Sequence, residues 1–159
     1  MKRFFMTFLL FLCCFSLCSC QKSPVLNEVT SAEVEISCQD EKYRASIERT
    51  QDDGINITML SPKNIEGVSY RFAAEELTID YQGLRCITDH NYLPQGAVSN
   101  ALYEVFSAIP KAQYQESENK EDRFSVDDGR FLIRAEGGEI KEISDTRYGY
   151  HIVFEKSGR

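Results

Sequence analysis

Two histidines, two Asp-Asp-Gly triplets and six cysteines are the residues of this 159-residue chain with the means to do chemistry. His90 follows Asp89 in an irregular segment, and His151 alternates outward between Tyr150 and Ile152. General acid–base catalysis needs a base oriented by a second group. Neither histidine has such a partner in its sequence neighbourhood, and no G-x-S-x-G nucleophile elbow occurs. Both therefore read as exposed or loop residues, and the chain as a protein without catalytic residues. The triplets Asp52-Asp53-Gly54 and Asp127-Asp128-Gly129 lack the alternating acidic ligands and distant Glu of a calcium loop. They read as hairpin turns, in which Asp bonds the local backbone and Gly supplies positive φ. Beyond Cys20 no Cys/His spacing suits zinc, so no metal and no cofactor is expected.

Four of the cysteines lie at the N-terminus. Lys2 and Arg3 precede an uncharged apolar run from Phe4 to Cys18, which is short of the roughly 20 residues a membrane-spanning helix needs and fits a cleaved export signal. Leu17-Cys18-Ser19-Cys20 resembles a bacterial lipobox, with Cys18 where that motif more often has Ala, Ser or Thr. The resemblance implies that Cys20 is acylated on sulfur by a diacylglycerol, becomes the first residue after cleavage, and anchors the chain. The other reading is an ordinary secretory signal with Cys20 a plain thiol. Lipidation places the protein on the outer side of the cytoplasmic membrane, or in the outer membrane of a diderm. Loss of Lys2 and Arg3 takes the net charge from −7 to −9. So acidic a chain, without basic clusters, is repelled by nucleic acid and by anionic headgroups, and its membrane partner is reached through the lipid.

Residues 1–19 thus form the signal, 20–30 with Pro24 a tether, and 31–159 one domain, long enough to bury a core. From Ser31 apolar residues alternate: Val34, Ile36, Cys38; then Tyr43, Ala45, Ile47; then Ile55, Ile57, Met59. Val68, Tyr70, Phe72 and Leu77, Ile79, Tyr81 continue the pattern, and Gln82-Gly83 turns into Leu84 and Cys86. Such short alternating runs between turns predict a meander of antiparallel hairpins. Cys38 and Cys86 fall at apolar strand positions; two buried thiols are favoured over a disulfide, which needs Cα atoms within about 7 Å. Val98, Ala101, Leu102, Val105, Phe106 and Ile109 form a helical stripe, with Ser99 as N-cap, Pro110 as stop, and Asn100, Tyr103, Glu104 and Ser107 outward. Glu116 to Asp122 reads as an acidic loop. Phe124, Val126, Phe131, Ile133, Ala135, Ile140, Ile143, Tyr148, Tyr150, Ile152 and Phe154 complete about nine strands. The class is α+β: a strongly curved antiparallel sheet covered by one amphipathic helix.

The run INITMLSPKNIEGVSYRF followed by LTIDYQGL, the helix, and the later GRFLIRAEGGEIKEI and YGYHIVFEK hairpins resemble the lipoprotein-carrier (LolA/LolB-like) superfamily. That resemblance implies an unclosed β-barrel with helices in its mouth, and a protein that carries an acyl chain, senses the envelope or handles lipoproteins. Family members have a helix before the first strand, whereas here only about ten tether residues precede Ser31. Phe72, Leu77, Ile79, Leu102, Phe106, Phe131, Ile133 and Phe154 would face the helix from the concave side. They either fill that space as a dry core, the favoured reading, or line a groove for an acyl chain or apolar peptide. Two functions follow: an envelope protein that binds an apolar ligand or assists lipoprotein handling, or a module that docks another envelope protein without a ligand.

Overall fold

A computed structural model describes residues 24–118 and 121–158; the stretch read as a signal peptide, Cys20 and the first residues read as tether lie outside them. Alternation builds the first hairpin. In β1 (Ser31–Cys38), Ala32, Val34 and Ile36 turn inward and are buried, and in β2 (Glu41–Arg49) Ala45 and Ile47 do the same. On the outer face Arg44 bridges Glu155 at 2.7 Å and Glu33 at 3.7 Å, and Lys42 meets Glu35 at 3.2 Å. The meander continues through β3 (Ile55–Ser61), β4 (Ser69–Ala73), β5 (Glu76–Tyr81) and β6 (Leu84–Asp89). After helix α1 (Val98–Ala108) come β7 (Gln113–Glu118), β8 (Glu121–Val126), β9 (Phe131–Glu136), β10 (Glu139–Asp145) and β11 (His151–Gly158).

The sheet order is β6-β5-β4-β3-β2-β1-β11-β10-β9-β8-β7, every neighbouring pair antiparallel. The terminal strands β1 and β11 therefore pair in the middle, while the two edges, β6 and β7, are consecutive in sequence and joined through α1. Inner-face side chains from β1 to β5 and from β8 to β11 meet the helix stripe in one apolar cluster. A flat sheet would keep those strands tens of ångströms apart at ~4.8 Å per spacing, so the sheet curls around the helix. The edges do not pair, and the barrel stays open. Among the described residues no helix is long and apolar enough to cross a membrane.

Eleven strands rather than nine are present. The stretch read as an acidic loop instead contributes the strand ends of a hairpin: β7 and β8 pair from Gln113↔Ser125 to Glu118↔Glu121. Its carboxylates are tolerated because cations oppose them, Arg123 on Glu116 at 2.9 Å and Arg134 on Glu121 at 2.6 Å. Both Asp-Asp-Gly triplets are hairpin turns, with Asp53, Asp127 and Asp128 at φ of 58°, 53° and 52°. A Cβ on Gly54 would lie 2.8 Å from the Phe72 carbonyl oxygen and 2.7 Å from Thr50 Oγ1, so the close approach of this turn to β4 requires glycine.

Three further expectations are corrected. The residue before the helix is Ala97, with no side-chain cap bond, and Ser99 is buried inside the first turn, hydrogen-bonded with the Tyr70 phenol. The tether is held at its C-terminal end: the Asn27 amide donates to the Gly138 carbonyl at 2.8 Å, and Val29 is in the core. A Cβ on Gly138 would come within 2.9 Å of the Val25 carbonyl oxygen, so that docking too depends on glycine. Among the described residues both thiols are free, Cys38 half-buried and Cys86 exposed. Four strands separate β1 from β6, which puts a disulfide out of reach, and edge strand β6 is uncovered.

Candidate functional site

Six of the eight residues placed on the concave face are packed solid: Phe72, Leu77, Leu102, Phe106, Phe131 and Ile133 are each at most 2% exposed. Ile79 and Phe154 are half-buried at the margin. The Phe106 and Phe154 rings stack at 5.8 Å, and Phe72 stacks on Tyr103 at 4.4 Å. Tyr103, expected on the outward face of the helix, thereby joins the core edge. Only Phe131 of these eight borders any of the open cavities described below.

Open space with an apolar wall lies at the N-terminal end of α1. A cavity of about 500 Å³ opens between the start of β2, the end of β3 and the helix, walled by Tyr43, Met59, Ile65, Tyr70, Leu93 and Val98. Its outer wall is a loop folded back on β3: the Ile65 amide donates to the Pro62 carbonyl at 3.0 Å and the Gly67 amide to the Met59 carbonyl at 2.8 Å. The chain entering the helix on the opposite side is held by Tyr150, whose hydroxyl donates to the Gly96 carbonyl at 2.6 Å. Sequence periodicity gave no sign of this site, because Ile65 and Leu93 sit in irregular segments. The mouth lies at the Cys38–Glu41 end of the first hairpin, whereas the docked tether enters at the Ser31 end.

The lining is electrically quiet. The Tyr43 hydroxyl donates to Glu41, and that bond, with burial, pushes its phenol up to about 12. Burial raises the Tyr70 phenol, with Ser99 opposing. Both rings stay neutral at physiological pH, and the charges of Glu41 and Lys42 stand at the border. A concave apolar site of this size suits part of an acyl chain or apolar side chains, and an ionic head would have to remain outside.

A larger cavity, about 830 Å³, is of the opposite character, with Glu104, Lys111, Asp127, Asp128 and Arg130 in its wall. It borders an ion cluster that sequence reading missed. The Arg130 side chain is 8% exposed and donates to Glu104 at 2.5 Å and to Asp145 at 3.3 Å and 3.4 Å. Asp145 also accepts from the amides of Arg147 at 2.8 Å and Tyr148 at 3.4 Å. Burial alone would lower the Arg130 pKa, but Asp145 and Glu104 outweigh it and raise it. With every partner engaged, the cluster ties the β8–β9 turn, the end of β10 and the outward side of α1 together. A third cavity, about 790 Å³, separates the docked residues 24–29 from Ile109–Ala112.

The histidines are accounted for structurally. His90 packs edge-on against Phe72 and Tyr103, with Nε2 2.9 Å from the Glu76 carbonyl oxygen. His151 faces outward, as its position in the alternation implied, with Nδ1 3.5 Å from Ser144 Oγ and Nε2 3.6 Å from Glu142. These three lie on the outer face of a sheet whose amides are consumed by strand pairing, so no oxyanion pocket faces them. Glu142 is held first by Arg134 at 2.7 Å, which keeps its carboxyl below the usual range.

No protein-family model matches the chain, and no curated protein matches it. Among solved structures it is similar to a LolA superfamily protein from Nitrosomonas europaea, over 80% of this chain and 83% of that one, at 9% sequence identity and a TM-score of 0.44.

Proposed function

We propose that this is a non-catalytic envelope protein, anchored by lipid on Cys20, that holds an apolar ligand in the mouth beside the helix N-terminus and so assists the handling of lipids or lipoproteins. The observation that carries the reading is the contrast between a filled interior and an open cavity beside the helix N-terminus, walled by Tyr43, Met59, Ile65, Tyr70, Leu93 and Val98, whose charged residues Glu41 and Lys42 are solvent-exposed. An acyl chain is the ligand that fits such a lining, with its polar head left at the Glu41–Lys42 border.

Titration with a fluorescent fatty acid tests the site. Saturable binding is expected, weakened at least tenfold by Ile65→Arg, which sets a charge in the apolar wall. Ile65 is only half-buried in a loop, so the variant keeps its fold. Probe binding that ignores Ile65→Arg would remove the site. The anchor is tested separately: the chain should take up radiolabelled palmitate, Cys20→Ser should not, and globomycin should block processing. A processed but unlabelled protein rejects the anchor.

The second reading, a module that docks another protein, is favoured by one observation of its own, the uncovered edge strand β6.

A further inference from the structure

The two edges of the sheet are treated differently. An unpaired strand invites another strand, and proteins blunt that hazard with charge, bulges or cover. Edge β7 is blunted: it carries the exposed Glu116, and its register breaks between Tyr114 and Glu116. Edge β6 has neither bulge nor cover, and its two charges, Arg85 and Asp89, are of opposite sign. It pairs β5 without a break from Tyr81↔Leu84 to Glu76↔Asp89, and it leaves Leu84 75% and Ile87 60% exposed.

Strand register decides what β6 offers. The Gln82–Gly83 turn, both residues at positive φ, is a two-residue hairpin connection, so Tyr81 and Leu84 exchange the backbone bonds beside it. Alternation then points the amides and carbonyls of Leu84, Cys86 and Thr88 toward β5. Those of Arg85, Ile87 and Asp89 point to the open edge.

We propose that β6 is a self-association edge, pairing antiparallel with β6 of a second copy about a two-fold axis through Ile87. Charge complementarity selects this occupant and this register. Centred on Ile87, the strand sets Arg85 opposite the other copy's Asp89 twice over, Ile87 against Ile87, and Cys86 against Thr88, with all three outward residues of each strand in backbone-bonded positions. Arg85 already meets Asp80 at 2.9 Å, which leaves it between two carboxylates in the pair. Asp89 keeps its bond from the Asn91 amide. Shifting the axis by one residue would set Arg85 against Ile87 and lose both ion pairs. Two strands of six residues bury less than the ~1,200 Å² of a standard interface, so the association is weak and concentration-dependent. It is independent of any ligand in the mouth.

The test is oxidative cross-linking of the detergent-solubilised full chain carrying Cys86→Ser and Ile87→Cys. Directly opposed residues of a backbone-bonded pair lie about 5.5 Å apart at Cα, within disulfide reach. The expected result is a band at twice the chain mass that Arg85→Asp suppresses and Arg85→Asp with Asp89→Arg restores. Restoration also shows that the single variant had not failed to fold. An introduced thiol that reacts with maleimide yet gives no such band, a band indifferent to Arg85→Asp, or a link only to a different protein would each overturn the proposal.

Discussion

Replacing Asp145 by Ala is expected to lower the unfolding free energy by about 3–5 kcal/mol, the usual cost of breaking a buried ion pair from one side. The Asp145 side chain is fully buried, and Arg130 opposite it is 8% exposed. Its loss leaves the guanidinium with Glu104 and the more distant, exposed Asp127, and also frees the amides of Arg147 and Tyr148. Arg130→Met should cost less, because those two amides still hold Asp145 Oδ1 and only Oδ2 loses its partner. The two changes share one network, so Arg130→Met with Asp145→Ala should fall short of their sum. Urea denaturation of the four proteins reads this directly; equal single-variant losses would mean that the cluster does not organise the turn.

Phe106→Ala should be comparably damaging, by about 3–5 kcal/mol, against a typical total of about 5–15 kcal/mol. Phe106 is 1% exposed and stacked on Phe154, so its removal leaves a cavity at the centre of the sheet-helix interface. Phe106→Arg should prevent folding altogether. Phe154→Ala, at the half-buried margin, should cost clearly less. If Phe106 instead lined a ligand groove, its truncation would change binding and leave stability nearly intact. Thermal and chemical denaturation separate the two outcomes.

These contrasts show which features the sequence makes legible. Periodicity is a local property, and it exposed the inward residues of the hairpins and the α1 stripe from Val98 to Ile109. The Asp-Asp-Gly turns were legible for the same reason, since their chemistry is complete within three residues. Alternation tells which face a residue takes but not whether anything covers that face. Cys86 and Leu84 are on the inner face, opposite Ile79 and Tyr81, yet they lie beyond the reach of the helix. β7 was missed because an edge strand closed by cross-strand ion pairs needs little apolar alternation. Arg130 and Asp145 pair across 15 positions at strand ends, where no spacing rule operates. The mouth was hidden because a cavity is made by what fails to meet, and the two loop residues that wall it carry no period.

An apolar ligand in the mouth walled by Tyr43, Met59, Ile65, Tyr70, Leu93 and Val98 should stay with the protein through a gentle purification. Native mass spectrometry of the chain purified from membranes in mild detergent tests it most directly, because a noncovalent acyl ligand leaves on collisional activation and a covalent anchor on Cys20 does not. A releasable adduct of lipid mass is expected on the wild type and absent from Val98→Arg. A wild type that folds and carries no adduct, or an adduct retained by Val98→Arg, would contradict it.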